Sequence, residues 1–152
     1  MISSDLTIIV LFYNQERYVN NLLDNIKECN YKIDSKIMLV DDYSSDNTYA
    51  SIKKWLKENN DLDYKVIKNN SNLGISESIL NAISFVDTKW IKIHGGDDFF
   101  AKGSIGRFNE LVESSNPEST VYMTDVSIIN EKNEIIGYRK CPSRITFNKF
   151  FK

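Results

Sequence analysis

A chain of 152 residues, 41% hydrophobic and 26% charged, has the make-up of one well-cored globular domain and is too short for two ordinary ones. Its net charge of -2, with acidic and basic residues interspersed, gives no electrostatic basis for nucleic-acid binding. No apolar run reaches the ~20 residues of a bilayer span, and the start, MISSDLTIIVLFYN, lacks the basic segment and cleavage site of a signal peptide. Cys29 and Cys141 lie far apart, in no metal-ligand spacing, which suggests a reducing, cytoplasmic setting.

Strand and helix signals alternate along the chain. Thr7–Phe12 is a continuous β-branched and apolar run, as in a strand buried on both faces. Asn14 is placed to cap a helix carrying Tyr18, Leu22 and Ile26 at helical spacing. Lys36–Val40 reads as a second buried strand ending in Asp41-Asp42, after which Ser45 or Asp46 opens a helix through Ile52, Trp55 and Leu56. Tyr64–Ile67 reads as a third strand. Asn72-Leu73-Gly74 is a turn into a helix with Ile75, Ile79, Ala82, Ile83 and Val86 on one side. Trp90–Ile93 is the fourth strand and Gly103–Ser114 a further helix, with Ile105, Phe108, Leu111 and Val112 facing inward. Val121–Ile129 and Glu134–Tyr138 are two strands joined by a turn at Glu131-Lys132-Asn133, and Trp55, Phe85 and Phe108 are read as packing.

This alternation predicts an α/β fold with a mostly parallel, Rossmann-like sheet flanked by helices. Ligands of such sheets bind beyond the carboxyl ends of the strands. Here those ends carry Tyr13-Asn14, Asp41-Asp42 and Gly95-Gly96-Asp97-Asp98. Two adjacent carboxylates repel and are costly to desolvate unless a cation meets them. No Gly-x-Gly-x-x-Gly or Gly-x-x-x-x-Gly-Lys-Ser/Thr sequence is present to cradle a phosphate, so a hard divalent cation, Mn or Mg, held by Asp97 and Asp98 is the expected neutraliser. Tyr13 offers a flat face to a base, and Asp42 an acceptor to base or ribose. Adjacent strand residues point oppositely, so of Asp41 and Asp42 the second is expected to face the ligand. His94 is expected to be a half-buried strand residue. Phe99 and Phe100 suit either a sugar pocket or packing.

The segments IIVLFYNQERYVNNLLDNI, KIMLVDDYSSDNTYASI, NNSNLGISESILNAI and KWIKIHGGDDFF resemble, in order and spacing, those of family 2 glycosyltransferases. The resemblance covers roughly residues 6–101 and implies a GT-A fold. It implies base contact at Tyr13 and Asp42, and metal and sugar-diphosphate contact at Asp97 and Asp98. Residues 119–139 are similar more loosely. The chain is thus expected to be one domain over 1–152, with 6–101 binding nucleotide-sugar and metal and 102–152 beginning the acceptor part. The family usually continues for several tens of residues more, so the C-terminal acceptor portion is short or missing.

The implied activity is metal-dependent, inverting transfer of a sugar from a nucleotide-diphosphate donor, UDP-linked by preference, to a glycan or lipid-linked acceptor, with polysaccharide synthesis the commonest setting. Two departures stand out: Gly95 occupies the first position of a full Asp-x-Asp, and Ile79 stands where many members carry Arg. No general base is identified. The apolar, basic segment RITFNKFFK reads as a natural end, as the cut edge of a longer protein, or as a patch for peripheral association with the inner face of the membrane. A non-catalytic nucleotide-binding module is the main alternative, and a nucleotidyltransferase a weaker one, since YNQERY is not a Gly-rich activation loop.

Overall fold

The computed structural model describes residues 5–29, 35–59, 64–114 and 123–141. The chain forms two compact units, Met1–Ser114 and Ser115–Lys152. In the first, β1 (Leu6–Phe12), β2 (Lys36–Asp41), β3 (Tyr64–Lys68) and β4 (Trp90–Gly95) form a parallel sheet in the order β3-β2-β1-β4. The helices are α1 (Glu16–Cys29), α2 (Thr48–Glu58), α3 (Gly74–Ile83) and α4 (Ser104–Ser114). Ile8 of β1 pairs with Ile37 of β2 and Lys92 of β4, which sets the four carboxyl ends side by side.

The central strands are buried on both faces, as their unbroken apolar sequence requires. On one face Ile8, Val10, Phe12, Ile37 and Leu39 pack with Val19, Leu22, Leu23 and Ile26 of α1, Ile52 and Trp55 of α2, and Ile105 and Phe108 of α4. On the other, Ile9, Met38 and Val40 meet Ala82 of α3. Burying each large side chain of this kind is worth ~1.5–3 kcal/mol, so the two faces of β1 and β2 dominate the stability of the unit. Helix α4, placed by sequence at the start of the acceptor part, belongs through Ile105 to this core.

The helical spacing held only in part around α3: Ala82 is buried and Val86 packs against its cluster, as expected, but Ile75 and Ile83 do not follow. In α3 the buried residues are Ser78 and Ala82, whereas Ile75 is 71% exposed and Ile83 is also exposed. The helix is rotated because Ser78 and Asn81 bond Asn69, which follows β3, at 2.8 and 3.0 Å. Phe85 is likewise exposed instead of packed, with the Lys65 Nζ 4.3 Å from its ring centroid. Leu111 of α4 is exposed as well, and the side chain of Val112 lies outside the described residues.

In the second unit, β5 (Val126–Ile129) and β6 (Ile135–Arg139) form an antiparallel pair with a bulge at Ile128/Ile129. Asn130 closes the turn: its Oδ1 accepts the N–H groups of Lys132 (2.9 Å) and Glu134 (3.0 Å), and Asn133 takes φ 61°. Residues 121 and 122 of the expected strand, and the segment RITFNKFFK, lie outside the described residues.

Candidate functional site

The carboxyl edge is built by cross-links between loops that are distant in sequence. After β1 the chain turns at Asn14, whose φ of 52° is left-handed. Asn14 does not cap α1, as expected of it. Its Oδ1 instead accepts the Ser45 N–H at 2.8 Å, and its own N–H donates to the Ser44 Oγ at 3.0 Å. The first N–H groups before and within α1 are met from the other loop: Gln15 donates to the Thr48 Oγ1 (2.8 Å) and Glu16 to the Asp46 Oδ2 (3.1 Å). Glu16 returns the contact by accepting the Asn47 N–H at 3.2 Å, and the Asp46 Oδ1 accepts the Thr48 N–H at 2.9 Å. Helices α1 and α2 therefore cap each other. Burial alone would raise the pKa of Asp46, but the bonds from Thr48 and Glu16 outweigh it and hold the carboxyl below its usual range.

Asp42, expected to face a ligand, is 3% exposed. Its Oδ1 accepts Asn69 Nδ2 and the Leu73 N–H, and its Oδ2 the Gly74 N–H, all at 2.8 Å. It thus serves as a remote cap for α3, where Leu73 has no capping side chain of its own. Gly74 sits at φ 76°, which suits glycine. Burial works to raise the Asp42 pKa, and the hydrogen bonds, led by that of Leu73, bring it below normal. Asp41 is also fully buried; its Oδ2 accepts the Ser44 N–H at 3.3 Å and its Oδ1 has no hydrogen-bond partner. A buried orphan acceptor calls for an explanation.

Asp97 and Asp98 are exposed and follow a tight approach of β4 to β1. The Gly96 N–H donates to the Leu11 carbonyl at 2.8 Å. A Cβ on Gly96 would overlap the Phe12 ring and the Gln15 side chain and stand 2.9 Å from that carbonyl oxygen. At Gly95 the space of a missing Cβ is bordered by the Asp98 Oδ2 (2.9 Å) and the Asp97 Oδ1 (3.1 Å). Gly95, where a third carboxylate was the alternative, leaves the room into which these two converge. Burial, and then the charge of Asp97, push the Asp98 pKa up, with Lys92 opposing. The charge of Asp97 thus disfavours ionisation of Asp98 beside it.

No group of three or more metal-ligating side chains occurs among the described residues. Two carboxylates are a donor set of the kind that a hard cation completes with phosphate and water oxygens. Behind the pair, Phe100 is buried, stacks on His94 at 3.9 Å and is clamped by Asn25, which accepts its N–H (2.8 Å) and donates to its carbonyl (3.1 Å). Phe100 is therefore packing. His94 is buried, and burial and Lys92 lower its pKa to about 4, so it is neutral at pH 7.

Tyr13 is 49% exposed at the end of β1. The sequence reading passed over Tyr43, which is 53% exposed and held at φ 60°. For a non-glycine residue this conformation costs of order 1–2 kcal/mol. No sequence signal at Tyr43 announces it.

The parallel sheet with its carboxylate-bearing edge defines a GT-A-like fold. The mannosyltransferase PcManGT from Pyrobaculum calidifontis, solved with GDP-Man and Mn2+, superposes with a TM-score of 0.68 at 20% identity, covering 88% of this chain and 38% of that one. S. aureus TarS 1–349 with UDP-GlcNAc gives 0.63 at 20% identity, over 82% of this chain and 40% of that one. Residues 7–151 match the family described as Glycosyl transferase family 2, and the chain belongs to it. Among curated proteins, abequosyltransferase RfbV of Salmonella typhimurium is 28% identical over 116 residues, 74% of this chain and 33% of that protein. The uncharacterized glycosyltransferase MG060 of Mycoplasma genitalium is 24% identical over 119 residues, 77% of this chain and 40% of that protein. The chain thus spans about a third to two fifths of the curated relatives it matches.

Proposed function

We propose that residues 1–152 are one glycosyltransferase domain, or the donor-binding part of one, that takes a nucleoside diphosphate sugar and transfers the sugar with inversion to a glycan or lipid-linked acceptor. The observation that carries this reading is the convergence of the Asp97 and Asp98 carboxylates over Gly95, at the sheet edge that also presents Tyr13. Asp97 and Asp98 would hold a divalent cation, Mn or Mg, which when bound offsets the charge of a departing diphosphate. The neighbour solved with GDP-Man and Mn2+, and the one solved with UDP-GlcNAc, support this donor class. Tyr13 receives the base by stacking. Asp41 and Asp42 support this edge from beneath: both are buried, Asp41 accepts the Ser44 N–H, and the oxygens of Asp42 accept Asn69, Leu73 and Gly74.

The setting belongs to the same proposal: a cytoplasmic chain at the inner face of the membrane, as the distant spacing of Cys29 and Cys141 and the segment RITFNKFFK suggest. No helix among the described residues is long and apolar enough to cross a membrane. The test is calorimetric titration of UDP, and separately GDP, into the chain with Mn2+ and then with chelator. Binding that requires Mn2+ and disappears in the Asp97→Ala/Asp98→Ala double variant, with unfolding temperature retained, is the expected result. Equal binding with chelator would remove the metal role, and no binding to either nucleotide would remove the donor reading.

A further inference from the structure

Helix α3 is apolar on more sides than its own sheet uses. It lies over β1 and β2, with Ala82 against Ile9, Met38 and Val40. Ser78 and Asn81 bond Asn69, so that flank of the helix faces β3. The opposite flank carries Ile75, Ile79 and Ile83 at four-residue spacing and faces the β4 end of the sheet. Leu80 points away from the sheet and is 61% exposed. A surface helix needs one apolar stripe, and a helix that is apolar beyond that stripe is one whose other sides are covered as well. The sheet has the matching gap. Ile91 and Ile93 of β4 pair with Thr7 and Ile9, which puts them on the α3 face, and both are exposed. One element thus bears an apolar outer surface with no sheet against it, and the other an apolar face open to solvent.

We infer that this face joins two copies of the chain, their α3 helices lying antiparallel in one layer between the two sheets. Leu80 of each copy then rests on the partner's Ile91 and Ile93, and the Ile75, Ile79 and Ile83 flank runs along the partner's helix. A two-fold interface has to be self-complementary. Here each copy supplies both halves of the fit, the protruding helix and the uncovered strand. The charges agree with it. Glu77 is the one charged side chain of α3, and the antiparallel arrangement brings it toward the C-terminal end of the other helix, where Lys65 lies against Phe85. From their fractional exposures, Ile75, Leu80, Ile83, Phe85, Ile91 and Ile93 present roughly 600 Å2 per copy, against the ~800 Å2 per partner of a specific interface.

The experiment is sedimentation equilibrium of the full chain, from about 1 μM to about 200 μM. The parent is compared with Leu80→Glu, with Ile93→Lys and with an equimolar mixture of the two variants. The parent is expected to show a monomer–dimer equilibrium, and each variant alone to dimerise at least about tenfold more weakly. Both side chains are exposed in a single copy, so both variants are expected to fold, as urea unfolding at low concentration will show. Ile91→Lys takes the place of Ile93→Lys should the latter not fold. In the mixture one of the two symmetry-related contacts becomes a glutamate–lysine pair and the other stays native, so a mixed dimer should form. A parent that is monomeric at the highest concentration overturns the inference. Dimers that persist unweakened in both variants overturn it as well, as association through another surface. Variants that are monomeric alone and stay so when mixed overturn the crossing of Leu80 onto β4. None of these outcomes bears on the donor reading, which nucleotide titration decides separately.

Discussion

The carboxylate of Asp46 accepts the backbone N–H of Glu16 at 3.1 Å across 30 residues of chain, and on its other oxygen the N–H of Thr48 at 2.9 Å. One side chain thereby satisfies orphan donors at the starts of two helices, α1 and α2. Loss of a helix cap costs ~1 kcal/mol, and Asp46 serves two. Asp46→Ala should therefore lower stability by about 2 kcal/mol in urea unfolding. An unchanged midpoint would show that water replaces the carboxylate at both helices without loss.

Asp42 stands in the same relation to α3. Its oxygens accept the N–H groups of Leu73 and Gly74 and the Asn69 amide. In Asp42→Asn one oxygen becomes an NH2 that faces another donor, and a buried donor left unsatisfied costs ~1–3 kcal/mol. The expected outcome is a stability loss of about 2 kcal/mol, with Asp42→Ala no milder. The folded pKa of Asp42 is depressed, so its contribution is present above the ordinary carboxylate range and is lost as pH falls through and below it. An Asp42→Asn variant as stable as the parent at pH 7 would return Asp42 to the ligand-facing role that its sequence position suggests.

Gly96 tests the approach of β4 to β1. An added methyl meets the buried Phe12 ring and the Leu11 carbonyl, neither of which can withdraw without moving the central strand. Overpacking of this kind costs ~1–3 kcal/mol, and Gly96→Ala should lose about 2 kcal/mol by thermal or urea unfolding. The displaced loop carries Asp97 and Asp98, so Mn2+-dependent nucleotide affinity should fall with it. A variant with parent stability would mean that the loop relaxes freely around the new methyl.

The parts of the fold governed by burial were legible in the sequence. TIIVLF and KIMLV announce two doubly buried strands because nothing polar interrupts them, and the carboxyl-edge residues follow from counting where each run stops. What escaped was governed by hydrogen bonds between distant loops. Asn14 looks like a helix cap by position, yet its partners Ser44 and Ser45 lie on another loop. In α3 the apolar spacing pointed to Ile75 and Ile83, whereas Ser78 and Asn81 face inward to Asn69, a polar pairing that hydrophobic periodicity cannot register. Asp41 and Asp42 were correctly placed at the edge, but which oxygen is occupied depends on Leu73 and Gly74 arriving from beyond β3. Tyr43 adopts a conformation imposed wholly by its neighbours' bonds.

His94 gives the last prediction. Its ring is stacked on Phe100, its Nε2 has no hydrogen-bond partner, and a hydrogen bond with the Asp98 backbone opposes the downward shift of its pKa. Burial and the nearby Lys92 lower its pKa to about 4 in the folded chain, against 6.5 for the ordinary side chain. Between those values the unfolded chain binds the proton and the folded chain does not, so stability falls as pH drops from 6.5 toward 4. At ~1.4 kcal/mol per pKa unit, the loss between pH 7 and pH 5 is about 2 kcal/mol. Asp98, whose folded pKa is raised, works the other way: it takes up its proton in the folded state first and offsets part of the loss as the carboxylate range is approached. Urea midpoints measured with chelator at pH 7, 6 and 5 should therefore decline for the parent, and the decline should flatten in His94→Phe, whatever that variant's stability at pH 7. An identical slope in the two proteins would assign the acid sensitivity to other groups and leave His94 free to take up its proton at its ordinary pKa.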